Sequence, residues 1–144
     1  IYGPSYVSQS TALRHYGLIP ERVHTIQAVT TKHSRDFETP IGFYRYTGCS
    51  DEYFHIGLKI MYENGVNFLI ATPEKAICDL INFSKGVSLR FVKDVRTFLE
   101  DDIRFDTDAL ADLDIEIIRR CAQHSRRQKS IENLIKYIQY ERDL

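Results

Sequence analysis

The sequence predicts an α+β fold in which antiparallel β-hairpins in the first half pack against a set of helices in the second. Three observations predict it. β-branched and aromatic residues with period-two alternation are concentrated before residue 72, an Asn64-Gly65 pair separates two such runs, and from Pro73 onward apolar residues recur at helical spacing. Strands first and helices afterwards is an α+β order rather than alternating βα units.

The elements follow in chain order. Residues 8 to 16 form a short helix, with Ser8 as cap, Ala12, Leu13 and Tyr16 on one face, and Gly17 with Pro20 to stop it. From Val23 to Thr31 β-branched residues dominate without a helical stripe, which predicts a strand. Residues 35 to 47 alternate around Thr39-Pro40-Ile41-Gly42 and predict a hairpin. A second hairpin has Asn64-Gly65 as its two-residue turn, the pair that most readily supplies two positive φ angles.

Four helical segments close the chain. Pro73 to Phe83 turns Ala76, Ile77, Leu80 and Ile81 inward, and Ser88 to Glu100 turns Phe91, Val95, Phe98 and Leu99 inward. An extended stretch and a short turn capped by Asp106 or Thr107 come next. Asp114 to Ser125 then buries Ile115, Ile118 and Ala122, and Ser130 to Glu141 buries Ile131, Leu134, Ile135 and Ile138.

Length and charge narrow the function classes. A chain of 144 residues reads as a single domain over 1–144 that buries about 68–70% of its unfolded surface, enough to fold without disulfides or metal. Lys and Arg number 19 against 20 Asp and Glu, so any polyanionic partner must be met by a local patch. Cys49, Cys78 and Cys121 are odd in number and far apart, which predicts buried thiols in a reducing, cytoplasmic setting. No apolar run approaches the roughly 18 residues of a membrane span, so no membrane partner is expected. The start at Ile1, passing at once into Tyr2-Gly3-Pro4, reads as the continuation of a larger protein.

Candidate chemistry is sparse. The histidines lack H-x-x-x-H and H-E-x-x-H spacing, and the glycine loops and nucleophile elbow of common nucleotide and acyl chemistry are missing, so no cofactor, metal or catalytic residue is assigned. Asp106-Thr107-Asp108 has a spacing that could hold Mg²⁺ in a nuclease or nucleotidyltransferase, but it lies in an acidic run from Glu100 to Glu116 that reads as a solvated face. Two basic clusters are candidates for phosphate contact: Arg119, Arg120, Arg126, Arg127 and Lys129, and separately Lys32, His33 and Arg35 beside Phe37 and Tyr46. In Ala71-Thr72-Pro73-Glu74-Lys75, Thr72 is an N-cap, Pro73 sits at the first helical position, and Glu74 complements the helix dipole. Lys75 opposes that dipole, and pairing with Asp79 one turn later or reaching to the hairpins is its expected use.

The stretches Pro4-Ser5-Tyr6-Val7-Ser8, Ala12-Leu13 with Tyr16-Gly17-Leu18-Ile19, Val29-Thr30-Thr31-Lys32, Glu38-Thr39-Pro40-Ile41-Gly42 and Ala71-Thr72-Pro73-Glu74-Lys75-Ala76 with Asp79-Leu80, in this order, resemble the AbiEi-type antitoxin and transcriptional regulator family. The resemblance covers residues 1 to about 83. It implies a bacterial regulator with a winged helix-turn-helix ahead of this region, which represses its own toxin-antitoxin operon and counteracts a nucleotidyltransferase-like toxin without a stable complex. This chain would be its non-enzymatic C-terminal domain, assisting contact with operator DNA. A protein-interaction or homodimerisation module, using the acidic segment or the last helix, is the alternative.

Overall fold

The computed structural model describes residues 2–22, 24–40 and 42–143. Val23 and Ile41, which the sequence places in a strand and a turn, lie outside the described residues. A six-stranded sheet forms in the order β3-β4-β2-β1-β6-β5, from β1 (Ser5–Val7), β2 (Thr25–Thr30), β3 (Arg35–Thr39), β4 (Gly42–Gly48), β5 (Leu58–Glu63) and β6 (Val66–Ala71). Both expected hairpins are present, and Asn64 and Gly65 turn the second with φ of 51° and 75°. The architecture is α+β, but the sheet is mixed rather than antiparallel. β2 lies parallel to β4, and β1 lies parallel to β6.

The reason for the mixture is visible in β3. Its residues Arg35, Asp36 and Glu38 are exposed, and charged side chains of this kind suit a sheet edge. The longer and more aromatic β4 therefore takes the inner place beside β2. β1, which sequence periodicity does not reveal because it is only three residues long, stands at the centre of the sheet and joins its two halves.

Helices α1 (Gln9–His15), α2 (Asp51–Phe54), α3 (Pro73–Phe83), α4 (Val92–Thr97), α5 (Ile115–Gln123) and α6 (Gln128–Arg142) complete the fold. Ile131, Leu134, Ile135 and Ile138 of α6 and Ile118 and Ala122 of α5 are buried as their spacing predicts. α3 is buried on every side from Glu74 to Asn82, so it is the central helix rather than an amphipathic one.

The helix expected from Ser88 starts later, and Phe91 is exposed rather than inward. Side chains of α6 hold the preceding segment out of the helix: Ser130 Oγ accepts from the Leu89 N–H at 3.1 Å, and Asn133 Nδ2 donates to the Leu89 carbonyl at 2.7 Å. α4 then begins where Asp94 accepts from the Phe91 N–H, and after Thr97 it widens into a π-helical turn over Phe98–Asp102 that keeps Phe98 and Leu99 buried. Asp106, of the two candidates, caps the 3₁₀ turn Thr107–Asp112. No described helix is long and apolar enough to cross a membrane.

Candidate functional site

Lys75, Asp79 and Asn82 stand at i, i+4 and i+7 on α3, so they form one polar line along a helix with no exposed face. Thr72 and Pro73 start that helix as expected, the Thr72 hydroxyl accepting from the Lys75 N–H. Glu74 is buried, and beyond the dipole of its own helix it accepts from the Asp114 N–H at 2.8 Å, tying α3 to the first turn of α5.

Lys75 is fully buried and does not close on Asp79 as the sequence suggests, nor does it reach the hairpins. Its ammonium turns to the end of α2, donating to the carbonyls of Tyr53 at 2.5 Å, Phe54 at 3.3 Å and Ile56 at 2.7 Å. These three bonds use all three N–H groups. The rings of Tyr53 and Tyr6 stand 4.2 and 5.0 Å from the same nitrogen. A cation unfavourable for the N-terminus of its own helix is thus favourable at the carbonyl end of another. The approach is close: at Gly57, with φ of 64°, a Cβ would lie 2.9 Å from Lys75 Cβ.

Asp79 is equally buried and accepts three hydroxyls. Tyr6 Oη at 2.9 Å and Ser8 Oγ at 2.5 Å donate to Oδ2, and Tyr53 Oη at 2.6 Å donates to Oδ1. Ser8 stands at the N-cap position of α1 but spends its hydroxyl here, so it does not cap with its side chain. Burial pushes the Asp79 carboxyl up, while nearby Lys75 and the three donors hold it down. Burial likewise pushes Lys75 down, against Asp79. The phenols of Tyr6 and Tyr53 are driven far above their ordinary range, first by burial and then by Asp79.

The network reaches the surface through Asn82. Its Nδ2 donates to Tyr53 Oη at 3.0 Å and to Ser125 Oγ at 2.9 Å, and the Ser125 hydroxyl in turn donates to the Cys121 carbonyl. Asn82 Oδ1 is buried without a partner. A cavity of about 270 Å³ adjoins this end, lined by Cys49, Tyr53, Asn82, Phe83, His124 and Arg126. The Cys49 thiol is pushed up to about 12, by burial and then by Asp79, so it is no poised nucleophile.

The basic residues do not act as one patch. Arg119 pairs with Glu116 at 2.9 Å. Arg127 donates to the carbonyls of Ile81, Ser84 and Val87 at 2.7 to 2.8 Å and so closes the C-terminus of α3. Arg120, Arg126 and Lys129 are exposed. Lys32 and Arg35 belong to the β2–β3 connection and to β3, with Lys32 over the Tyr2 ring and Arg35 over Phe37. Asp106 uses a carboxylate oxygen on the Asp108 N–H, and among the described residues no group of three or more His, Cys, Asp or Glu is placed to hold a metal ion.

Tyr6, Ser8, Tyr53 and Ser125 escape sequence reasoning, because they come from three distant segments; the signal that points to them is the polar line 75, 79, 82 on an otherwise apolar helix. No protein-family model matches the chain, and no curated protein sequence matches it.

Proposed function

We propose that this chain is the non-catalytic C-terminal domain of an AbiEi-type antitoxin and transcriptional autorepressor, which assists operator binding and counteracts a nucleotidyltransferase-like toxin without a stable complex. One observation supports the reading above others. Tyr6 and Ser8, from the first stretch that carries the resemblance, donate directly to Asp79 of the last, 73 and 71 residues away. Words that lie far apart in the sequence therefore describe one buried cluster, as a shared domain core would. The two charges at its centre are shut away: Lys75 and Asp79 are both fully buried, and every N–H of Lys75 is occupied by a carbonyl, which suits a scaffold rather than a catalytic centre.

Binding then belongs to the surface, where Arg120, Arg126 and Lys129 of α5, α6 and the turn between them are the cations available to phosphates. Fluorescence anisotropy with duplex DNA at low and moderate salt tests this. Arg120→Glu, Arg126→Glu and Lys129→Glu together are expected to abolish binding at moderate salt and to flatten its salt dependence. Arg127 is left intact in that variant because its loss would disturb α3. Duplex binding unchanged by the triple substitution would remove the DNA role from these helices.

A further inference from the structure

Helices pack against β2 and β6 on one face of the sheet, and the other face is lined by strand residues alone over a hollow of about 650 Å³, with a second hollow of about 670 Å³ beside it. Tyr44 and Tyr46 line both, so the two are one continuous surface. Strand alternation decides what it presents. Arg35 and Phe37 of β3 are the register partners of Tyr46 and Tyr44 and share their face, while Asp36, Glu38 and Arg45 fall on the other side, where Asp36 and Arg45 pair at 3.2 Å. Neither hollow has a carboxylate in its lining. At one end Tyr2, Phe37 and Tyr46 meet with ring centroids 5.4 to 5.6 Å apart, and Lys32 and Arg35 stand over the Tyr2 and Phe37 rings. At the other end, Tyr62 and Ile60 are exposed.

We propose that this uncovered sheet face binds single-stranded nucleic acid, unpaired bases stacking on Phe37, Tyr44 and Tyr62 and the phosphate backbone running past Lys32 and Arg35. Aromatic rings on an open sheet with cations at the rim and no acid between them fit a ligand of flat, unpaired bases joined by negative charge. A duplex keeps its bases stacked on one another and offers these rings nothing. The inference is independent of the regulator reading, which places duplex DNA on cations of α5, α6 and the turn between them rather than on the sheet.

The test is anisotropy of the intact chain with labelled oligouridylate, oligothymidylate and a duplex of equal length. Single strands of either sugar are expected to bind in preference to the duplex, the two arms showing whether the 2′-hydroxyl contributes. Phe37→Leu with Tyr44→Leu, which keeps apolar bulk but removes the flat rings, is expected to weaken binding by at least about tenfold. Arg35→Glu is expected to weaken it comparably, and Arg45→Glu, the same charge change on the opposite face of the hairpin, is expected to leave it unchanged. Equal weakening by Arg35→Glu and Arg45→Glu, a preference for duplex, or absence of binding by folded protein at low salt would overturn the proposal. So would light scattering that shows a dimer dissociated by Tyr62→Glu, since the face would then belong to a second copy of the chain.

Discussion

Lys75 shows how a single residue's position along a helix can be misleading about its energetics. In the first turn of α3 its charge faces the wrong end of a dipole, yet the same side chain satisfies three carbonyls at the end of α2. Removing it would strand those carbonyls and leave Asp79 as a buried charge with hydroxyl donors only. Lys75→Met, which keeps the length of the side chain, is expected to cost about 3–5 kcal/mol in urea unfolding. Asp79→Asn alone is also destabilising, because three hydroxyl donors meet an amide in place of a carboxylate. Since each group compensates the other's burial, the double variant is expected to cost less than the sum by about 0.5–3 kcal/mol. Strict additivity would mean that the two charges do not sense one another.

At the scale of elements, local chemistry was readable wherever the deciding partner lay nearby. Asn64-Gly65 set a hairpin, Thr72 and Pro73 started α3, and the apolar spacing of α6 named its buried face correctly. Legibility failed where a distant side chain decided the outcome. Leu89 reads as helical, but Ser130 and Asn133, more than 40 residues on, take up its N–H and carbonyl and leave it outside the helix. β1 is three residues long and has no periodicity to detect, and its place is set by partners in β2 and β6. The basic run was equally deceptive: Arg126 and Arg127 are neighbours in sequence, but one is exposed and the other stitches α3 to α6. Arg127→Ala is therefore expected to cost about 2 kcal/mol of stability, and Arg126→Ala to stay within about 0.5 kcal/mol. Denaturant midpoints of the two variants check this, and equal midpoints would deny Arg127 its structural role.

For the molecule as a whole, the buried cluster is the point where separate segments become one cooperative unit. Tyr6 comes from the central strand, Tyr53 from α2 and Asp79 from α3, and α5 joins through Ser125 and Asn82. Its phenols also link folding to pH. Tyr16, whose hydroxyl donates to the Ala71 carbonyl at 2.7 Å, is pushed up to about 12 by burial and by Glu74, Tyr6 is pushed further, and Tyr53 is raised well above its ordinary value. Below pH 10 these phenols are protonated in both folded and unfolded chains, so their contribution to stability is complete. Above pH 10 the unfolded chain releases protons that the fold retains, and stability falls as pH rises, by up to about 1.4 kcal/mol per pH unit for each fully buried phenol. Of nine tyrosines, Tyr6 and Tyr53 are thus expected to ionise only as the protein unfolds. Phenolate absorbance should rise in two stages, the second coinciding with loss of far-ultraviolet circular dichroism, and Tyr53→Phe should shrink that second stage. If every tyrosine ionised near pH 10 with the dichroism intact, the cluster would be open to solvent and could not be what joins the sheet to the helices.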